Sequence, residues 1–241
     1  MLDWLRRDPR AIPTVRIGER EIPVIVRRLD RARRMTMRLA GDGTAVRISI
    51  PSWGRTAEAL AFARSRQPWL ERQLAALPAP IAIKPDAILR FRGEPLVIRH
   101  VPSAKRRPAL EDGTILLGGP EDSLAPRLRR WLESEARALL VQDLAHYCAL
   151  AERPVPKLAL SNARRRWGSC APDGTIRINW RLIMAPDDVR RSVVAHEVAH
   201  LVHFDHSPAF HDCLSRLFEG DLTAANCWLK REGRGLYQPF G

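Results

Sequence analysis

The stretch Ser192–Phe210, SVVAHEVAHLVHFDHSPAF, holds four of the chain's seven histidines, and a fifth, His211, follows directly. Within it His196, Glu197 and His200 form H-E-x-x-H. Pro186 and Asp187 upstream make a good helix start, and DDVRRSVVAHEVAHLVHF (187–204) reads as helical, with Val189, Val193, Val194 and Leu201 at apolar positions. At about 100° per residue His196 and His200 lie about 40° and one turn apart, so both imidazoles can reach one ion. Glu197 can then take the proton of a water at the ion's open position. A surface helix with two incidental histidines would match the same five residues. The helix start, the apolar neighbours and further spaced histidines argue against that.

A catalytic zinc needs a third protein ligand, and His203, His206, His211 and Asp205 are the candidates. On a continuous helix the His203 Cα lies about 10.5 Å along the axis from that of His196, which strains tetrahedral closure. His206 ranks ahead of it if the helix breaks near Phe204. Asp205 suits a turn, and Ser207 with Pro208 can start a new helix. The spacing also equals that of the metzincins, but His203 stands at their glycine. No methionine follows His206, the four being Met1, Met35, Met37 and Met184, so a Met-turn is excluded.

Outward from the motif, KLALSNARRRWGSCAPDGTIRINW (157–180) reads as strands flanking a PDG turn. Leu124–Glu152 spaces Leu128, Trp131, Leu132, Leu139, Leu140, Leu144 and Tyr147 for one buried helical stripe. Nearer the N-terminus, Val24 and Val26, then Met35, Met37 and Leu39, then Val46, Ile48 and Ile50 alternate, with a GDG turn at 41–43. This predicts antiparallel strands. An amphipathic helix follows over Ala59–Leu74, ending near PAP at 78–80, and then two further β-like stretches, ILRFRGEPLVIRHV and ALEDGTILLGG. The expected fold is α+β: a basic β-rich N-terminal domain with one helix over 1–120, and a second domain of long helix, β-hairpin, HExxH helix and C-terminal helices over 121–241. No internal repeat stands out.

At 241 residues the chain can bury cores without disulfides, and Cys148, Cys170, Cys213 and Cys227 form no CxxC pair. The segment MLDWLRRDPR lacks the apolar run of a secretory signal, and no apolar run approaches the roughly 20 residues needed to cross a bilayer. These features predict a cytoplasmic protein with free thiols and no membrane partner. The net charge of +13 is uneven, with 23 basic and 12 acidic residues in 1–120 against 17 and 15 in 121–241. The basic half could meet an anionic partner, nucleic acid or nucleotide. With only four lysines among the 40 basic residues, a compositional bias of the source genome accounts for arginine equally well.

Together these motifs resemble the YgjP-like metallopeptidase family, a bacterial zincin group related to SprT and Wss-type proteases. The resemblance rests on RWGSC (166–170), Asn179 and Leu182 within IRINWRLIMAP, and HEVAHLVHFDHSPAF (196–210). RRLDRARRMTMRL, VRISIP and QPWLERQL resemble the family's leader, so the likeness spans residues 24–232. It implies a zincin-like core over 121–241, with His196, His200 and His206 as zinc ligands, Glu197 as general base, and Trp167, Ser169 and Asn179 in structural roles beside the site. His211 stands where the family commonly has tryptophan, and Asp205 where it has asparagine. His203, His211 and Arg166 are therefore candidates for backing the ligands or facing substrate.

The expected activity is zinc-dependent hydrolysis of a peptide or protein substrate, with Zn2+ as cofactor. Two alternatives keep the metal: hydrolysis of a nucleotide phosphoanhydride, in the manner of a nucleoside triphosphate pyrophosphatase, and a DNA-associated protein whose zincin core acts on DNA-bound proteins. No P-loop is present, and phosphoryl transfer more often uses Mg2+ with oxygen ligands. Arg166, Tyr147, Tyr237 and His211 are all conceivable oxyanion donors.

Overall fold

A computed structural model describes residues 12–41, 43–77, 79 and 81–240. The N-terminal MLDWLRRDPR, Asp42 of the GDG turn, and Pro78 and Pro80 of PAP lie outside the described residues. The chain forms two compact units, Met1–Pro78 and Ala79–Gly241.

In the first unit β1 (Thr14–Ile17), β2 (Arg20–Leu29), β3 (Thr36–Leu39) and β4 (Val46–Pro51) form a sheet of order β1-β2-β4-β3. Alternation puts Val15, Ile17, Ile22, Val24, Val46, Ile48 and Ile50 on one face, where each is buried. Helices α1 (Thr56–Ser65) and α2 (Gln67–Ala75) pack there through Ala59, Ala63 and Leu70. The single expected helix is thus two, broken at Arg66 just before Pro68. One pairing also departs from expectation. β1 with β2 and β3 with β4 are antiparallel, but β2 with β4 is parallel, Val24 lying opposite Val46. Period-two alternation selects a face and carries no information on strand direction.

The second unit repeats this strand order. β5 (Ile88–Phe91), β6 (Glu94–His100), β7 (Ala109–Glu111) and β8 (Thr114–Leu117) lie in the order β5-β6-β8-β7, again with a parallel central pair between two hairpins. Arg92-Gly93 and Asp112-Gly113 form the hairpin turns, and all four residues have positive φ, as two-residue turns that match strand twist require. The expected boundary near 120 falls inside this unit. Leu89, Phe91, Ile98, Ile115 and Leu117 join one core with Leu124, Leu128, Trp131 and Leu132 of α3 (Leu124–Leu150), and Phe91 stacks on Trp131 at 5.1 Å. A shared apolar core, not a change of periodicity, sets the division.

Beyond α3 come β9 (Leu158–Ser161), β10 (Gly168–Cys170) and β11 (Ile176–Asn179), in the order β10-β11-β9. The expected hairpin at PDG is β10–β11, and β10 is an edge strand. A 3-10 turn over Trp180–Met184 leads to α4 (Asp187–Ala199), followed by α5 (Pro208–Leu217), α6 (Leu222–Glu232) and a 3-10 turn over Gly233–Tyr237. Among the described residues no helix is long and apolar enough to cross a membrane.

The first turn of α4 is fixed by charge. Arg190, only 2% exposed, binds Asp143 of α3 at 2.7 Å and also Asp187, which in turn pairs with Arg92 of the β5–β6 turn. Burial works to raise the Asp187 carboxyl, but the hydrogen bonds and charges of Arg92 and Arg190 outweigh it and hold its pKa below the usual value. This contribution is therefore complete above the unfolded carboxylate pKa, near 3.9, and fades as pH falls through the lower folded value. Asp143→Ala leaves a buried guanidinium short of a partner and is expected to lower stability by about 3 kcal/mol in denaturant unfolding. Arg231→Ala, which breaks an exposed pair with Glu232, is expected to change it by less than about 0.5 kcal/mol.

Candidate metal centre

Helix α4 carries His196 and Glu197 and ends sooner than its sequence suggests, at Ala199, with His200 as its C-cap. The ladder tightens there: Leu201 N–H donates to the Val198 carbonyl and Val202 N–H to that of Ala199, each spanning three residues. The chain then turns through Asp205, whose carboxylate accepts from the Ser207 N–H at 3.3 Å, and α5 begins at Pro208. The break returns His206 to His196 and His200. One ring nitrogen from each of these three residues lies within 4.8 Å of the other two, an arrangement that could hold a metal ion, and among the described residues no other group of three or more His, Cys, Asp or Glu does so.

The donor set fits a small ion with tetrahedral nitrogen coordination. His196 Nε2 and His206 Nε2 are 3.4 Å apart, close to the separation of about 3.3 Å between two nitrogens each 2.0–2.1 Å from a tetrahedral zinc. His200 Nδ1 lies 3.1 Å from the His203 carbonyl, so a proton on Nδ1 donates to it and leaves Nε2 free. Burial, reinforced by the neighbouring imidazoles, lowers the pKa of His196 to about 4, and burial lowers that of His200 as well. Both shifts favour the neutral imidazole, the form that ligation requires.

His203 thus serves the cluster through its backbone carbonyl, and its ring is not part of the group. His211 is exposed on α5, its ring 6.5 Å from that of His206, and is not part of the group either. Arg166 is exposed in the loop before β10, and its charge acts on Glu197. The phenols of Tyr147 and Tyr237 are already engaged. Tyr147 donates to Glu219 at 3.0 Å, and Tyr237 donates to the Ala163 carbonyl at 2.7 Å.

Glu197 is 5% exposed and faces the edge strand β10. Burial raises its pKa to about 7, against the Cys170 N–H, which donates to the carboxylate, and the charge of Arg166. A Cβ on Gly168 would lie 2.7 Å from the Glu197 Cγ and 2.8 Å from its Cδ, so the Glu197 side chain occupies space that only glycine leaves to it. The residues around β10 are held from behind. Trp167 packs on Gly233 and lies 5.6 Å from the Tyr237 ring. Asn179 donates to the Ala163 carbonyl and to Tyr237 Oη, while its Oδ1 accepts from the Arg181 N–H. The Arg181 guanidinium sits 4.6 Å from both the Trp180 and Tyr237 rings.

Two contributors escape sequence reasoning. Phe210 is fully buried, and its ring lies 5.0, 4.5 and 4.8 Å from those of His196, His200 and His206. Its place four residues after the third histidine is the only signal in the sequence, and the helix break gives it meaning. Gly168 is legible as part of WGSC, but its contact with Glu197 depends on the tertiary approach of β10 to α4. Phe210→Ala is expected to weaken Zn2+ binding about tenfold or more in a competitive chelator titration, while His211→Ala leaves it unchanged.

A solved structure, the crystal structure of the metallopeptidase zymogen of Pyrococcus abyssi abylysin, is similar at 19% identity and a TM-score of 0.35, covering 42% of this chain and 99% of that one. No curated protein sequence matches. The model of the YgjP-like metallopeptidase domain matches residues 33–232, which take in β3, β4 and every element from α1 through α6. On that match, the chain belongs to the YgjP-like metallopeptidase family.

Proposed function

We propose that this metallopeptidase is a zinc enzyme that cleaves peptide bonds, with His196, His200 and His206 holding the ion and Glu197 acting as general base. The observation that carries this reading is the convergence of three imidazoles within 4.8 Å, one residue along the helix from a buried carboxylate. Three neutral nitrogen donors suit zinc, whereas Mg2+ and Ca2+ take oxygen ligands. Zinc held there supplies Lewis acidity that polarises a substrate carbonyl and acidifies water.

The protein's own groups do the rest. The His203 carbonyl orients His200 by accepting its Nδ1 proton. Phe210 keeps the three rings in mutual register and excludes solvent behind them. Glu197, with a pKa raised to about 7 by burial, is matched to proton exchange near neutrality; the Cys170 N–H holds its carboxylate while it takes the proton of the attacking water and passes it to the leaving amine. The substrate is a peptide or protein, and the four free cysteines, Cys148, Cys170, Cys213 and Cys227, suit a reducing compartment such as the cytoplasm.

Elemental analysis should find zinc in the wild type and in His203→Ala but not in His206→Ala; zinc kept by His206→Ala and lost from His203→Ala reverses the ligand assignment. Glu197→Gln should retain zinc and lose about 10²- to 10⁴-fold in casein hydrolysis. Phosphate or pyrophosphate release from nucleotides that depends on Glu197, without peptide cleavage, would overturn the peptidase reading. Gly168→Ala should likewise keep its zinc and fold, yet lose at least about tenfold in kcat, because the new methyl displaces the Glu197 carboxylate.

A further inference from the structure

Among the described residues the sheet of the first unit has helices on one face only, and its other face is basic. Strand alternation and register put Arg16 of β1, Arg27 of β2, Arg47 of β4 and Arg38 of β3 on that outer face, all exposed. Arg38 and Arg47 stand directly opposite each other across the antiparallel β3–β4 pair, and on its other side Arg47 is paired with Ile25. Like charges in opposed positions oppose sheet pairing. The side chains of Arg27, Arg38 and Arg47 make no hydrogen bond or ion pair among the described residues, while that of Arg16 donates to the Gly18 carbonyl. Among the described residues the strands place one carboxylate on this face, Glu21, opposite Arg16, and it accepts from Thr14 Oγ1 at 2.6 Å.

Composition alone does not produce this pattern. The second unit's sheet has the same strand order, yet its outer face carries Ile88, Val97, Leu116 and Ala109, with only Arg90 and Arg99 as bases, and Arg90 is bridged to Glu232. Residues 1–78 contain 16 basic and 8 acidic side chains, against 24 and 19 in 79–241. Apolar groups are exposed in the same unit: Ile25 and Leu29, on the outer face of β2, are 45% and 40% exposed, and Trp53, two residues past the end of β4, is 78% exposed.

We propose that this face binds single-stranded nucleic acid, the arginines along the phosphate backbone and Ile25, Leu29 and Trp53 against unstacked bases. Four strands span about 14 Å across the sheet, too broad to enter a major groove of about 12 Å as a two-stranded ribbon does. A flexible single strand can lie along such a face, and stacking on an exposed aromatic tolerates any base.

The test is fluorescence polarisation of the full-length protein with a mixed-sequence 20-nucleotide single strand, over a salt series. Binding is expected with a slope of log K against log salt of about −2 to −3, from three or four phosphate contacts at about 0.7 each. Arg27→Ala/Arg38→Ala/Arg47→Ala should flatten the slope by about 2 and weaken low-salt binding at least tenfold, with a melting temperature equal to or above that of the wild type. Arg64→Ala/Arg66→Ala/Arg72→Ala, on the helical side, removes the same charge and should leave most of the slope. Trp53→Ala should weaken binding without changing the slope. Absence of binding at low salt, equal losses in the two triple variants, preference for the matching duplex, or tighter arginine-dependent binding to phosphatidylserine vesicles would each overturn the proposal.

Discussion

Glu197 is a carboxylate placed where carboxylates are costly, buried on the inner side of α4 against a strand that meets it with the Cys170 N–H and, at Gly168, with no side chain. Everything nearby answers to that placement. The strand must be glycine at 168 to leave room for the Glu197 side chain, and it must be an edge strand so that its other side stays open. The loop before it must be held from behind, which the Trp167, Asn179, Arg181 and Tyr237 contacts do. On the other flank α4 is fixed by a buried guanidinium shared between two carboxylates, so the helix cannot slide along the strand without breaking a charged network.

The histidines meet a different constraint. Two come at helical spacing, but a third can converge on them only if the helix stops, and it stops by tightening its last turn rather than by meeting a proline or glycine. The residues freed by that break are then used twice: His203 contributes its carbonyl to His200, and Asp205 turns the chain so that His206 and Phe210 return to the cluster. Packing and hydrogen bonding thus bring together a donor set whose spacing in the chain is irregular.

These differences explain what the sequence could and could not convey. HExxH, the PDG hairpin and the long stripe of α3 are local patterns, and each reappears as an element, though the HExxH helix starts at Asp187 as expected and stops at Ala199 instead of running on to Phe204. The preference for His206 over His203 was available from helix geometry, since a rise of 1.5 Å per residue separates His203 from His196. The parallel pairing of β2 with β4 was not, because alternation at Val24, Val26, Val46 and Ile48 is the same for either direction. Nor was the boundary at Pro78/Ala79, for the residues that erase a division near 120 are apolar side chains of β5 to β8 that meet α3 only in three dimensions. The roles of Gly168 and Phe210 belong to the same class: each is defined by a neighbour more than ten residues away or by a helix end that propensity does not mark.

The strand order shared by the two sheets bears on how the chain is made. In each sheet the central parallel pair joins residues close in sequence, Val24 with Val46 and Val97 with Thr114, so closure carries a modest loop entropy. During synthesis the first sheet has all its partners once Pro51 has emerged, and the second once Leu117 has, long before His196 is added. Such an order lets the β-rich segments finish pairing while still on the ribosome, and it leaves the histidines to be brought together last, on a scaffold that no longer has unpaired central strands to misdirect them.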